Sequence, residues 1–233
     1  MLEYLKKEVY EANMELFRRQ LIIYTWGNVS GIDREKGIVA IKPSGVAYEE
    51  LKAEDIVLVS LEDGRQVEGR LRPSSDTPTH LWLYRAFPQI GGVTHTHSPY
   101  ATAWAQADSA IPCLGTTHAD YFRGEVPCTR FLTEEEISRD YVAETGHIIE
   151  EAFVGMNPIH TPGVLVRGHG PFTWGKNAEE SVYHAAVLEE TAKMATTTFL
   201  LCPDARPLPQ AMQNKHFERK HGKNAYYGQK KVD

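Results

Sequence analysis

The sequence predicts an α/β fold, with helices packed on a central β-sheet in a single domain spanning residues 1–233. Apolar residues recur at helical spacing in some stretches and crowd into short β-rich runs in others, and the two kinds alternate along the chain. No internal repeat, low-complexity linker or abrupt shift in composition divides the 233 residues. At 42% hydrophobic and 10% aromatic, the chain can bury a full-sized core without disulfide or metal staples.

Leu2, Leu5, Val9, Ala12 and Leu16 recur every three or four residues, which places them on one face of an N-terminal helix. Thr25-Trp26-Gly27-Asn28-Val29-Ser30 breaks that pattern with small polar residues. Two β-rich stretches follow, residues 37–42 and 56–60, with the turn-like Pro43-Ser44-Gly45 after the first. Ser75-Asp76-Thr77-Pro78 reads as a helix start, and Pro88 stops that helix near Phe87. A strand is expected over residues 91–97, and Ser98-Pro99 opens another helix directly after it. Thr133-Glu134-Glu135-Glu136 is a capping box heading a helix to about Phe153. Residues 163–166 form a short apolar strand, Asn177 caps a helix reaching about Leu201, and a last polar helix covers about 207–221.

Charge and cysteine usage narrow the function classes. The balance of 25 basic against 31 acidic residues gives a net charge of −6, and the pI is near 5.9. That argues against nucleic acid as a main partner, which requires a concentrated basic face. Cys113, Cys128 and Cys202 are odd in number and widely spaced, as suits a reducing compartment. Charges interrupt the N-terminal stretch, and no apolar run approaches the roughly 18 residues of a membrane span. A cytoplasmic address with no membrane partner is expected.

The sharpest chemical feature is His95-Thr96-His97. On a strand, residues two apart project to the same side, so both imidazoles would face one spot. Such a pair alone is also met as two hydrogen-bonded histidines at a strand end. His169 strengthens the metal reading, because it too follows an apolar strand, between Gly168 and Gly170. Asp76 offers a carboxylate that could complete the set, or simply cap its helix. Three histidines and an aspartate suit zinc, with manganese or another divalent ion as the alternative. Gly27-Asn28, Ser44-Gly45 and Ser74-Ser75, with Lys42 nearby, would make a phosphate cradle if the fold gathers them. Thr116 to Tyr121 and the basic C-terminal segment from Lys215 to Gly228 offer acid/base groups, or a solvated helix and tail.

Several multi-residue blocks, in this order, carry a family resemblance. They are Thr25-Trp26-Gly27-Asn28-Val29-Ser30, Ile41-Lys42-Pro43-Ser44-Gly45-Val46, Pro73 to His80, Thr94 to Ser98, Gly115 to Phe122 and Ala225 to Gln229. Over residues 1–229 the chain resembles the L-ribulose-5-phosphate 4-epimerases of the class II aldolase/epimerase family. The resemblance implies a three-layer α/β/α fold and a homotetramer with a zinc ion at each subunit boundary. It places His95, His97, His169 and Asp76 at the metal, one ion per chain. Gly27, Asn28, Lys42, Ser44, Gly45, Ser74 and Ser75 fall where the family holds its phosphorylated sugar. Asp120 and Tyr227 fall on its acid/base pair, with Thr116, His216 and Arg219 in supporting positions. The segment 207–233 is expected at a subunit interface. Arg167 departs from the family, which carries a histidine there.

The implied activity is interconversion of L-ribulose 5-phosphate and D-xylulose 5-phosphate by retro-aldol cleavage and re-addition at C3–C4, in arabinose catabolism or an ascorbate-type pathway. The alternatives are a class II sugar-phosphate aldolase of the L-fuculose-1-phosphate type, and a non-enzymatic scaffold like the adducin head. The aldolases carry glutamate in place of Asp76, which favours the epimerase.

Overall fold

The computed structural model describes residues 2–223, 225 and 226. Its strands are β1 (Asn28–Asp33), β2 (Ile38–Ile41), β3 (Val57–Ser60), β4 (Gln66–Glu68), β5 (Gly92–His95), β6 (Gly163–Val166) and β7 (Gly170–Gly175). Its helices are α1 (Leu2–Arg18), α2 (Thr77–Ala86), α3 (Pro99–Gln106), α4 (Thr116–Ala119), α5 (Glu134–Ala152), α6 (Ala178–Leu201) and α7 (Gln210–His221). The strands form one sheet in the order β4-β3-β2-β1-β5-β7-β6, and every neighbouring pair is antiparallel.

Strand alternation sorts side chains onto two buried faces. Val39, Val57, Val59, Val93, Val164, Phe172 and Trp174 meet α2 and α5 on one face. Val29, Ala40 and Leu58 meet α1 and α6 on the other, where Leu165 packs with α3 and α6. The result is the helix–sheet–helix layering that the sequence predicts. The two capping signals mark helix starts correctly: Thr133 Oγ1 accepts the Glu136 N–H at 3.2 Å, and Asn177 Oδ1 accepts the Glu180 N–H at 2.8 Å. Among the described residues no helix is long and apolar enough to cross a membrane.

Local differences from the sequence reading have physical causes. Residues 28–30 open β1 instead of a loop, because their backbone is paired: they lie opposite residues 93–95 of β5, and Asn13 bridges α1 to both the N–H and the carbonyl of Val29. β7 starts at Gly170-Pro171, a pair that disguises a central strand. β4 is an exposed three-residue edge strand without an apolar face. β5 ends at His95, two residues short of the expected His97. α7 begins at Gln210, because Pro209 holds an extended ψ of 138°.

Candidate metal and substrate site

Antiparallel alternation gathers the site at one edge of the sheet. The ends of β2, β5 and β6 lie beside the starts of β1 and β7, so residues 42, 95, 97, 169 and 28 converge there. Asn28 pairs directly with His95, and His95 with Phe172 of β7. Gly27 makes the approach possible: its φ is +76°, and a Cβ there would lie 2.7 Å from the His95 carbonyl oxygen.

His95, His97 and His169 form a cluster whose ligand nitrogens lie within 4.8 Å of one another. His97 reaches it although β5 has ended, and its Nε2 stands 3.1 Å from His95 Nε2. His95 stacks on Phe172 at 4.2 Å between centroids, and its Nδ1–H donates to the Pro171 carbonyl at 3.0 Å. That bond leaves Nε2 carrying the lone pair turned to the cluster. Burial lowers the pKa of all three rings, that of His95 to about 3 against the opposing pull of Asp76. Three converging neutral imidazoles are a donor set that fits a divalent cation.

Asp76 is the residue preceding α2, yet its side chain makes no capping bond. Its Oδ2 instead accepts from Asn28 Nδ2 at 2.7 Å, and Asn28 Nδ2 also donates to Ser74 Oγ at 3.0 Å. Burial alone would raise the Asp76 carboxyl, but the His95 and His80 rings and the Asn28 amide hold it below its ordinary range. The ligand atoms within 4.8 Å are those of the three histidines, and Asp76 stands beside that group rather than inside it.

The polar loops do come together. The Ser44 N–H donates to the Arg72 carbonyl and the Ser74 N–H to the Lys42 carbonyl, both at 3.0 Å, which ties loop 43–46 to loop 72–75. A cavity of about 490 Å³ results, lined by Gly27, Asn28, Lys42, Ser44, Gly45, Ser74 and Ser75 together with Asp76 and the three histidines. Asn28 Oδ1 is buried there without a hydrogen-bond partner. Lys42 is buried over the Tyr48 ring and donates to the Val46 carbonyl at 2.7 Å, so it shapes the loop from beneath. Its burial lowers the ammonium pKa to about 8. Trp26, absent from the candidates drawn from the sequence, also lines the cavity, 6.3 Å from His97 between ring centroids.

Asp120 stands apart from this cavity. α7 packs on the α4 segment, where Arg219 donates to both Asp120 oxygens at 2.8 and 2.5 Å and His216 faces Oδ1 at 3.0 Å. Burial would raise the Asp120 carboxyl, but the Arg219 and His216 hydrogen bonds outweigh it and keep the group ionised. Thr116 opens α4, and its carbonyl accepts the Asp120 N–H at 2.9 Å. Tyr227 lies outside the described residues. Arg167 pairs with Asp108 and stacks on Phe131.

Two buried histidines away from the cluster make stability pH-dependent. Burial lowers His80 and His118 from 6.5 to about 4, so both are neutral in the folded chain and take up protons on unfolding. Their contribution is complete above pH 6.5 and is lost as the pH falls from 6.5 towards 4. The urea midpoint of metal-free protein is expected to drop across that window, and a flat midpoint would contradict neutral burial of these rings.

Residues 7–196 match the family described as Class II Aldolase and Adducin N-terminal domain. Over 226 residues the chain is 58% identical to the L-ribulose-5-phosphate 4-epimerase UlaF of Salmonella paratyphi A, covering 97% of this chain and 99% of that protein. The L-ribulose-5-phosphate 4-epimerase UlaF of Salmonella typhi is similar to the same extent. Among solved structures, an L-fuculose 1-phosphate aldolase aligns with a TM-score of 0.81 at 26% identity, covering 92% of this chain and 95% of that one. The L-fuculose-1-phosphate aldolase of Thermus thermophilus aligns with a TM-score of 0.66, also at 26% identity, covering 86% and 98%. By sequence and by fold, the chain belongs to the class II aldolase family, alongside the L-ribulose-5-phosphate 4-epimerases.

Proposed function

We propose that this chain is an L-ribulose-5-phosphate 4-epimerase, interconverting L-ribulose 5-phosphate and D-xylulose 5-phosphate. The observation that carries the reading is the meeting, in one cavity, of a three-imidazole cluster with loops rich in Ser, Gly and Asn. Likeness over 97% of the chain to proteins of that name supports it. His95, His97 and His169 would hold one divalent cation, zinc or else manganese, with Asp76 as the fourth ligand through the oxygen that Asn28 does not occupy. Such a cation supplies Lewis-acid stabilisation of negative charge on neighbouring oxygens.

The rest follows from substrate chemistry and from the chain's own groups. A C2 carbonyl acidifies C1 and C3, so the hydrogen at C4 cannot simply be removed. Inversion there requires that the C3–C4 bond break. The C4 hydroxyl loses its proton, its oxygen becomes an aldehyde, and the C3–C4 electron pair passes into the C2 carbonyl system. Dihydroxyacetone enediolate and glycolaldehyde phosphate result. The aldehyde turns over, the bond re-forms, and the new C4 alkoxide receives a proton from the opposite side. Ser44, Gly45, Ser74, Ser75 and Asn28 hold the phosphate end throughout, on loops that Lys42 braces.

Two proton-transfer groups are required, one for each aldehyde face. Asp120, ionised in its Arg219–His216 cradle, is one, and Tyr227 is the other. Asp120 does not line its own chain's cavity, so the working site joins two chains of a homo-oligomer, a tetramer, with the segment 207–233 at the boundary. A cytoplasmic metabolic role fits this chemistry. The test is to incubate purified protein with L-ribulose 5-phosphate and zinc in deuterated water. D-Xylulose 5-phosphate without deuterium at C4 is expected. Deuterium at C4 would refute the cleavage route, and accumulation of glycolaldehyde phosphate without a pentulose product would identify an aldolase.

A further inference from the structure

We infer that Tyr141 is a positioning residue for His169, its hydroxyl holding the orientation in which the ring faces the cluster. The inference rests on the cation site proposed above. Tyr141 Oη lies 3.2 Å from His169 Nδ1, and the two rings stand 6.2 Å apart between centroids. The parallel with His95 gives the contact its meaning. His95 has Nδ1 tied to a carbonyl, which can only accept, and turns Nε2 to the cluster. The Tyr141 hydroxyl can serve His169 in the same way: with Nε2 facing a cation, Nδ1–H donates to Tyr141 Oη, which holds the ring in that orientation. Ligating histidines are commonly oriented in this way.

The backbone is built to place that hydroxyl. α5 breaks at Asp140, whose φ of −165° and ψ of 87° are not helical. The helix then restarts, with Asp140 Oδ1 accepting the Ala143 N–H at 3.2 Å as an N-cap would. Tyr141 is therefore the first residue of a new helical segment. The buried Thr79 of α2 donates to the Val142 carbonyl at 2.6 Å, and Thr145 donates to the Tyr141 carbonyl at 2.8 Å. Thr79 lies three residues after Asp76, so the head of α2 carries the carboxylate and braces the tyrosine together.

The test is cobalt(II) titration of metal-free wild type and Tyr141→Phe, read by the visible d–d absorption, with zinc competition giving the affinity. Tyr141 is 44% exposed, so losing its oxygen should leave the circular dichroism and the thermal midpoint unchanged. The expected result is cobalt and zinc affinity about 10- to 100-fold weaker in the variant. Its d–d bands should also shift, because His169 no longer has a fixed orientation. Equal affinity and identical bands in a wild type that binds cobalt would overturn the inference and leave the proposed activity intact. A wild type that binds no cobalt at the histidines would overturn both.

Discussion

His97→Asn is expected to lose its divalent cation and, with it, roughly 10³-fold or more of the epimerase rate, the scale that several kcal/mol of charge stabilisation implies. The size follows from how little else in the cavity could replace the ring. The donors within 4.8 Å are three imidazoles, and removing one leaves two neutral ligands and a carboxylate already engaged by Asn28. His97 is also the least costly of the three to alter for the fold. His95 is buried against Phe172, whereas His97 is exposed beyond the end of β5. The variant should therefore fold normally, and metal analysis of the purified protein gives the readout. A His97→Asn protein with full metal content and full activity would refute the site.

Asp120→Asn should retain its metal yet lose about 10²- to 10⁴-fold in kcat, the range of a positioned acid or base. Metal content separates this defect from the first. Because Asp120 does not line the histidine cavity of its own chain, the two inactive variants should complement each other. In mixed oligomers about a quarter of the sites would pair an intact histidine set with an intact Asp120 by random association of equal amounts. Recovery of activity on co-expression is the expected result. Mixed oligomers that remain inactive would show that Asp120 serves its own chain or takes no part in the chemistry.

The histidine cluster is legible in the sequence because short-range rules suffice to find its members. Spacing flags His95 and His97, and glycines flank His169. Strand alternation alone does not join the first two, since β5 stops at His95 and the chain carries His97 to the cluster past the strand end. The polar loops that line the cavity are visible as Gly, Ser and Asn pairs, but their meeting depends on hydrogen bonds between residues 42–44 and 72–74 that no local pattern encodes. Tyr141 has no sequence signal, because it is one tyrosine within a helical stretch and owes its place to a break at Asp140. The same limit hides β1 and β7. Asn28 and Ser30 are polar residues of a strand buried on both faces, and the Asn28 amide nitrogen and the Ser30 hydroxyl find their partners tens of residues away: Ser74 and Asp76 for Asn28, His80 and Tyr84 for Ser30. Helix starts are the easiest features to read, because a capping box is complete within four residues.

The pairing of β5 with β7 bears on the order of events as the chain is made. Thr94 lies opposite Thr173, so these central strands are 173 − 94 = 79 residues apart in sequence. A chain growing from its N-terminus presents β1 to β5 first, with His95 and His97 at an unpaired strand edge. Contacts of such long separation form late, because a long loop must close before they can stabilise anything. His169 arrives with the turn between β6 and β7, and those two strands complete the sheet. The third imidazole and the last strands thus arrive together, so a cation held by all three rings would be captured only as the core closes. A nascent chain halted before that point holds two histidines on an open edge, too few to capture a cation firmly.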